Sequence, residues 1–288
     1  MPPETKLFGS NTGLADLTGT FGERLVTDEH DGYEVSRAVW NGSVDRRPGA
    51  IVYAHNVGEI RVAVNFAREN NLTVAVRGQG HHVAGFGVCD EGVVVDLSSM
   101  KKMEINEAER TVRVEPGLTV GEFLDAIEAK GLIMTVGSHS SVGMTGLTLG
   151  GGIGLLMSRY GLASDNLLEV DVVTADGDVH TASEEQNSDL FWALRGGGGN
   201  FGVVASLKFG LHPVEPMLAG VLVHPVPRIR EVLGVFRENA ENAPANLGLF
   251  AACVTSSLGL RTATPLQGYR SGNRIKSEPL PCCLTNFV

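Results

Sequence analysis

Arg77-Gly78-Gln79-Gly80-His81-His82 is the hexapeptide of this 288-residue chain whose residue types best suit chemistry. It follows directly on Thr73-Val74-Ala75-Val76, a short β-branched run, and its two glycines let the backbone turn tightly enough for consecutive N–H groups to point at one anion. A diphosphate would sit well there. Read alone, the same residues also describe an ordinary glycine turn with two surface histidines. A second stretch, Gly137 to Gly154 (GSHSSVGMTGLTLGGGIG), adds seven glycines in eighteen positions. That composition lets a flat or charged ligand lie against bare backbone, with Ser140, Ser141 and Thr148 donating hydrogen bonds. A Rossmann dinucleotide turn is the competing interpretation, because Gly150 to Gly154 and Gly196 to Gly202 both match its fingerprint loosely. The context argues against it. Gly150-Gly151-Gly152-Ile153-Gly154 is not preceded by a β-branched strand, and Gly196 to Gly199 comes after a helical pattern where the fingerprint needs one to follow.

The elements that must position these residues are legible from periodicity. A helix is expected over Asp16 to Val26, and Asn41 to Ala50 (NGSVDRRPGA) reads as a polar loop. Ile51-Val52-Tyr53, a helix over Val57 to Asn70 and the strand ending at Arg77 make a strand–helix–strand unit. Gly92 to Leu97 and Thr111 to Val114 are further strands, and Thr119 to Lys130 carries Phe123, Leu124 and Ile127 on one helical face. Leu167 to Thr181 reads as a hairpin closed at Ala175-Asp176-Gly177-Asp178. Ser188 to Leu194 is a short helix with Phe191 and Trp192 assigned to the core, Phe201 to Leu211 is a strand, and Arg228 to Ala240 is a helix. Alternating strands and helices place the chain in the α/β or α+β class.

Composition excludes several functions. With 43% hydrophobic residues the chain can bury a sizeable core, and a formal net charge of -10 without a basic stripe argues against a nucleic-acid partner. No apolar run approaches the roughly twenty residues that cross a bilayer, and MPPETKLFGSNTG lacks a signal-peptide layout. The expectation is a soluble, cytoplasmic protein without membrane contact. Of the four cysteines only Cys282 and Cys283 are adjacent, which suggests neither a disulfide framework nor a metal site; Cys89 reads as a small packed thiol.

Four ordered blocks carry a family resemblance: RGQGHHVAG at 77–85, VVVDLSSM at 93–100, GLTLGGGIGLLMSRYGLASDNL at 146–167 and DLFWALRGGGGNFGVV at 189–204. Together they resemble the FAD-linked oxidoreductases with a vanillyl-alcohol-oxidase or PCMH-type FAD-binding domain, and more narrowly the berberine-bridge-enzyme-like oxidases. The resemblance runs from about Asn41 to Leu211. It implies an α+β fold, a PCMH-type FAD-binding domain of two α/β subdomains over 41–212, following an N-terminal segment over 1–40. Residues 213–288 would then be the beginning of an α+β substrate domain with an atypical tail from Arg261, so that the chain reads as truncated or frame-shifted at its C-terminus.

Residue by residue, the resemblance implies that Arg77, Gly78, Gln79, Gly80, His81 and His82 form the loop embracing the FAD diphosphate. His81 matches the histidine bonded covalently to the flavin's 8α-methyl carbon, with His82 as its rival; a neutral imidazole is a competent nucleophile, and an N-linked flavin cannot dissociate. Gly137, Ser138, Ser140, Val142, Gly143 and Gly146 match a second cofactor loop, in which some relatives add a cysteine tether. His139 stands in that cysteine's place, so one covalent bond is expected, and His139 reads as a solvated or hydrogen-bonded loop residue. Gly150, Gly151, Gly152 and Gly154 would pack along the flavin. Asn166 would hold its loop and begin the following strand, and Gly202, Val203 and Val204 would close the site with Arg195. The implied chemistry is hydride transfer from an alcohol, sugar or secondary metabolite to FAD, with reoxidation by O2. The relatives' base is often a tyrosine near the C-terminus, but Tyr269 lacks the matching surroundings and no catalytic residue is assigned. Two alternatives stand beside an active oxidase: a flavin-binding remnant without turnover, and an NAD(P)- or nucleotide-binding module.

Overall fold

The computed structural model describes residues 17–218, 220, 222–244 and 247–249, together with the strand backbone at 251–255, 261–265 and 270–271. Tyr269, Cys282, Cys283 and most of the tail expected to be atypical lie outside the described residues. The chain divides into two compact units at Val214 and Glu215.

In the first unit, one sheet has the order β1-β2-β4-β3, formed by Leu25–Val26, Ala50–Tyr53, Val93–Asp96 and Val74–Arg77. Strands β2, β4 and β3 run parallel. The central strand β4 is buried along its whole length, as a parallel strand covered on both faces must be. Its register sets Arg77 at the end of β3 beside Asp96 at the end of β4. The crossover from β2 to β3 is the helix Val57–Glu69, which we number α2 after the short α1, Tyr33–Arg37. The Asn56 carboxamide caps α2 by accepting from Glu59 N at 3.0 Å, an interaction worth about 1 kcal/mol. Helix α2 buries Ile60, Ala63, Val64, Phe66 and Ala67.

The second sheet is antiparallel, in the order β5-β6-β10-β8-β9: Met103–Asn106, Thr111–Val114, Val203–Gly210, Leu167–Val173 and Val179–Ser183, while β7, Leu132–Ile133, pairs separately with His212–Pro213. Helix α3, Val120–Glu128, opens with a capping box in which Thr119 and Glu122 satisfy each other's backbone N–H groups, and it buries Phe123 and Ile127 against this sheet. Val173, Val203 and Ala205 cross over to the core of the first sheet, so the two subdomains share apolar packing.

The structure revises the sequence reading in four places. The helix expected over Asp16 to Val26 stops as a helical stretch at 17–21, after which Gly22–Arg24 is a 3₁₀ turn and Leu25–Val26 pairs with β2, because the positive φ of Gly22 breaks the helix. The glycine-rich stretch 137–154 is not all loop, since Met144–Leu149 forms helix α4 and buries Met144, Thr145, Thr148 and Leu149. Asn166 does not begin β8 but ends a 3₁₀ turn, Ala163–Asn166, before it. In the later helix Ser188–Leu194, Phe191 is buried, but Trp192 is 76% exposed, which corrects its assignment to the core; the one-residue step, about 100° around the helix, carries the indole off the buried face.

In the second unit, the helix Ile229–Glu241 accompanies a three-stranded arrangement of His224–Pro225, Arg261–Pro265 and Ala251–Thr255. No helix among the described residues is long and apolar enough to cross a membrane.

Candidate functional site

Strand β3 ends at Arg77, whose guanidinium turns inward: Nε donates to Asp96 Oδ2 at 2.5 Å, with both side chains buried. The other Asp96 oxygen accepts from the Ser98 backbone N–H and hydroxyl. Arg77 Nη1 is buried and, among the described residues, without a hydrogen-bond partner. A buried ion pair at the adjoining ends of two strands fixes where the next loop starts, and losing one partner would strand a charge.

The loop that follows is clamped from outside. Trp40 N donates to Gly80 O at 3.1 Å, Asn41 Nδ2 to Val83 O at 2.7 Å, and Arg46 Nη1 to Gly85 O and Val88 O at 3.0 and 2.9 Å. Gly80 and Gly85 sit at φ +70° and +71°, a backbone region that favours glycine. Gly78 is open, with no atom nearer than 3.6 Å to where a β-carbon would lie. Gln79 reaches across to donate to Gly117 O at 2.6 Å.

Two of the predicted loops meet here. A β-carbon on Gly143 would lie 3.2 Å from Gln79 Cγ, so 137–143 packs directly on 77–82. Ser141 Oγ bridges two imidazoles, 3.0 Å from His81 Nε2 and 3.0 Å from His139 Nδ1. The Trp40 ring stacks on His81 at 5.5 Å between centroids and 25° between planes. Burial, and then nearby His139, push the His81 imidazole below the ordinary histidine pKa, which favours its neutral form. His82 is outside this cluster; its ring lies against Phe86, and its Nδ1 accepts from Ala84 N at 3.2 Å.

The glycines after α4 serve a different purpose. A β-carbon on Gly154 would lie 1.9 Å from Val136 O, and one on Gly152 would lie 2.5 Å from Ala163 Cβ. Backbone bonds from Ala163 N to Gly152 O and from Ser164 N to Gly151 O tie this loop to the turn before β8. Asn166 locks that turn by donating to Tyr160 O and Leu162 O at 2.9 and 2.8 Å while its Oδ1 meets His212 Nε2 at 2.7 Å. A β-carbon on Gly202, at φ +144°, would lie 2.4 Å from Val173 O, and Val203 and Val204 turn their side chains into the core. Gly198 N donates to Leu149 O, joining the last glycine block to the end of α4. Of the hydroxyls expected to face a ligand, Thr148 does not, because it is buried and donates to Met144 O within its own helix. Gly146 and Gly150 are exposed, as are Ser138 and Ser140. Gly137 and Val142 are half-buried. Asp165, Trp192, Arg195, Gly196 and Phe201 line a separate groove.

Sequence reasoning missed Trp40, for which a lone aromatic before a polar loop gives no signal. It also did not anticipate that Ser141 would join His81 to His139, although both loops had been singled out. The Rossmann alternative fails on connectivity: the 150–154 glycines follow a helix, and those at 196–202 precede the strand β10.

Residues 48–183 match the FAD binding domain family. The chain is 36% identical over 223 residues to (R)-6-hydroxynicotine oxidase of Paenarthrobacter nicotinovorans, covering 77% of this chain and 48% of that protein. It is 40% identical over 204 residues to a FAD-linked oxidoreductase of Dictyostelium discoideum, covering 70% and 44%. Among solved structures, Physcomitrella patens BBE-like 1 superposes with a TM-score of 0.81 at 27% identity, over 91% of this chain and 57% of that one. The chain thus spans about half the length of the relatives it matches.

Proposed function

Since this chain belongs, through residues 48–183, to the FAD-binding family of FAD-linked oxidoreductases and has their PCMH-type α+β fold, we propose that it binds FAD covalently through His81 and serves substrate oxidation. The residues present suit that cofactor. The 77–82 loop offers open glycine backbone at Gly78, and Gly146 and Gly150 leave bare backbone exposed nearby in sequence to the loop that carries Ser141. Buried Arg77 Nη1, free of any protein partner among the described residues, leaves a donor beneath the loop.

Each residue then has a part. Gly78, Gln79, Gly80 and His82 contribute the turn around the diphosphate, and the Arg77–Asp96 pair holds that turn in place. Gly137, Ser138, Ser140, Val142, Gly143 and Gly146 form the second wall. Gly150, Gly151, Gly152, Gly154 and Asn166 keep the adjoining loop in shape, and Gly202, Val203 and Val204 set the backbone at the start of β10. Bound FAD supplies the acceptor for a hydride equivalent from substrate. The substrate is a small alcohol, sugar or secondary metabolite and the terminal acceptor O2, a reading supported by relatives named as oxidases.

The observation that carries the covalent assignment is the placement of the His81 imidazole at the end of the 77–82 loop, held between Trp40 and Ser141, with burial lowering its pKa in the direction that favours the lone pair a nucleophile must present. The experiment is a mass measurement. Purified protein should be yellow, retain flavin after acid precipitation and give a tryptic peptide containing His81 with added cofactor mass. His81→Ala should bind FAD that acid releases completely. Full covalent loading in that variant would refute the assignment, and peroxide release on a panel of small-molecule substrates tests turnover.

A further inference from the structure

We propose that His139, acting through Ser141, is the positioning residue that removes the proton from His81 as His81 forms its bond to the cofactor. The inference rests on the covalent reading above and goes beyond it by assigning the base. Three observations support it. Ser141 Oγ lies at hydrogen-bond distance from His81 Nε2 and from His139 Nδ1, and at no other described side chain do two imidazoles share one hydroxyl. The His81 and His139 rings are 5.9 Å apart, a separation one hydroxyl spans. It is Nε2 of His81 that faces Ser141, so when the neutral ring carries its proton there, Nδ1 is the nitrogen left with a lone pair.

A hydroxyl has one proton to give and lone pairs to receive another, so it can relay in one direction at a time. With Nε2–H of His81 donating to Ser141 and the Ser141 O–H donating to His139 Nδ1, the chain points outward from the nucleophile. As Nδ1 of His81 bonds to the 8α carbon, its ring becomes cationic. Ser141 then accepts the Nε2 proton and passes its own to His139, which is solvent-exposed and can release it. The balance closes with dioxygen as oxidant. One C–H bond of the methyl group and the N–H bond of His81 are exchanged for a C–N bond, and the two protons and two electrons leave as hydrogen peroxide. His139 faces His81 from the 137–143 loop, Trp40 faces it from the 38–41 segment without a titrating group, and His82 turns away toward Phe86.

Attachment makes a specific demand on pH. Since His81 attacks with a lone pair, the attachment rate should fall at acid pH, and burial of His81 sets that acid limb below the range of an ordinary histidine. The test uses full-length apoprotein from flavin-starved cells, mixed with FAD in air, with acid-stable flavin followed over time. His139→Ala and Ser141→Ala should attach FAD about 10²-fold more slowly, the size of a lost proton-transfer partner. Added imidazole should restore much of the rate in His139→Ala, and Ser141→Thr, which keeps the hydroxyl, should remain close to wild type. Wild-type rates in both alanine variants would overturn the relay while leaving His81 as the attachment point. A wild-type chain whose flavin is fully released by acid would instead overturn the His81 reading and the relay with it.

Discussion

Gly78 in the first loop and Gly152, Gly154 and Gly202 farther along look alike in the sequence, yet the structure gives them opposite reasons to be there. At Gly78 a β-carbon would meet nothing nearer than 3.6 Å, whereas at Gly154 and Gly202 it would lie 1.9 and 2.4 Å from backbone carbonyls of the chain itself. The first kind leaves backbone free to approach a ligand. The second lets two stretches of the same protein approach each other. A glycine-rich composition signals close backbone approach, but not whether the approaching group is a cofactor or the neighbouring strand. The side chains divide the same way: His81, Ser141 and His139 form a polar cluster at the surface, while Asn166 has its whole carboxamide bonded within the protein.

This contrast can be broken by substitution, most sharply where the first loop is anchored. Asp96→Ala leaves the Arg77 guanidinium buried and unpaired, and should lower unfolding free energy by about 3–5 kcal/mol in urea titration. An effect under 1 kcal/mol would mean that the loop does not depend on that pair. Next, Gly154→Ala should cost about 3 kcal/mol, since the Val136 carbonyl cannot yield as a flexible side chain would. Gly78→Ala is its control, expected within about 1 kcal/mol of wild type in stability but with weakened FAD uptake; equal stability losses would erase the distinction. A smaller loss than that of Gly154→Ala belongs to Asn166→Ala. Removing one carboxamide and its hydrogen bonds should cost about 2 kcal/mol, seen as a lowered thermal midpoint, with His81-linked flavin retained in the variant that still folds.

Much of the scaffold was legible in the sequence because its signals are local. The α2 and α3 periodicities, the Asp176–Gly177 turn and the β-branched runs at β3 and β4 each act over a few residues. Very short elements were not, including β1, α1 and α4, for which pairing or burial by distant segments outweighs weak propensity. Trp192 shows the same limit: helical spacing located its helix, but only the packing of that helix decided that Phe191 points in and Trp192 out.

By itself, the sequence determined the class, the two glycine-bearing loops and the identity of His81 as the residue to watch, because motif order and turn chemistry are written along the chain. Only the tertiary structure decided what surrounds that imidazole. Trp40, Ser141 and His139 come from segments some 40 and 60 residues away, and the force that assembles them is long-range: the parallel register of β3 on β4, the Arg77–Asp96 pair, and the packing of Gly143 on Gln79.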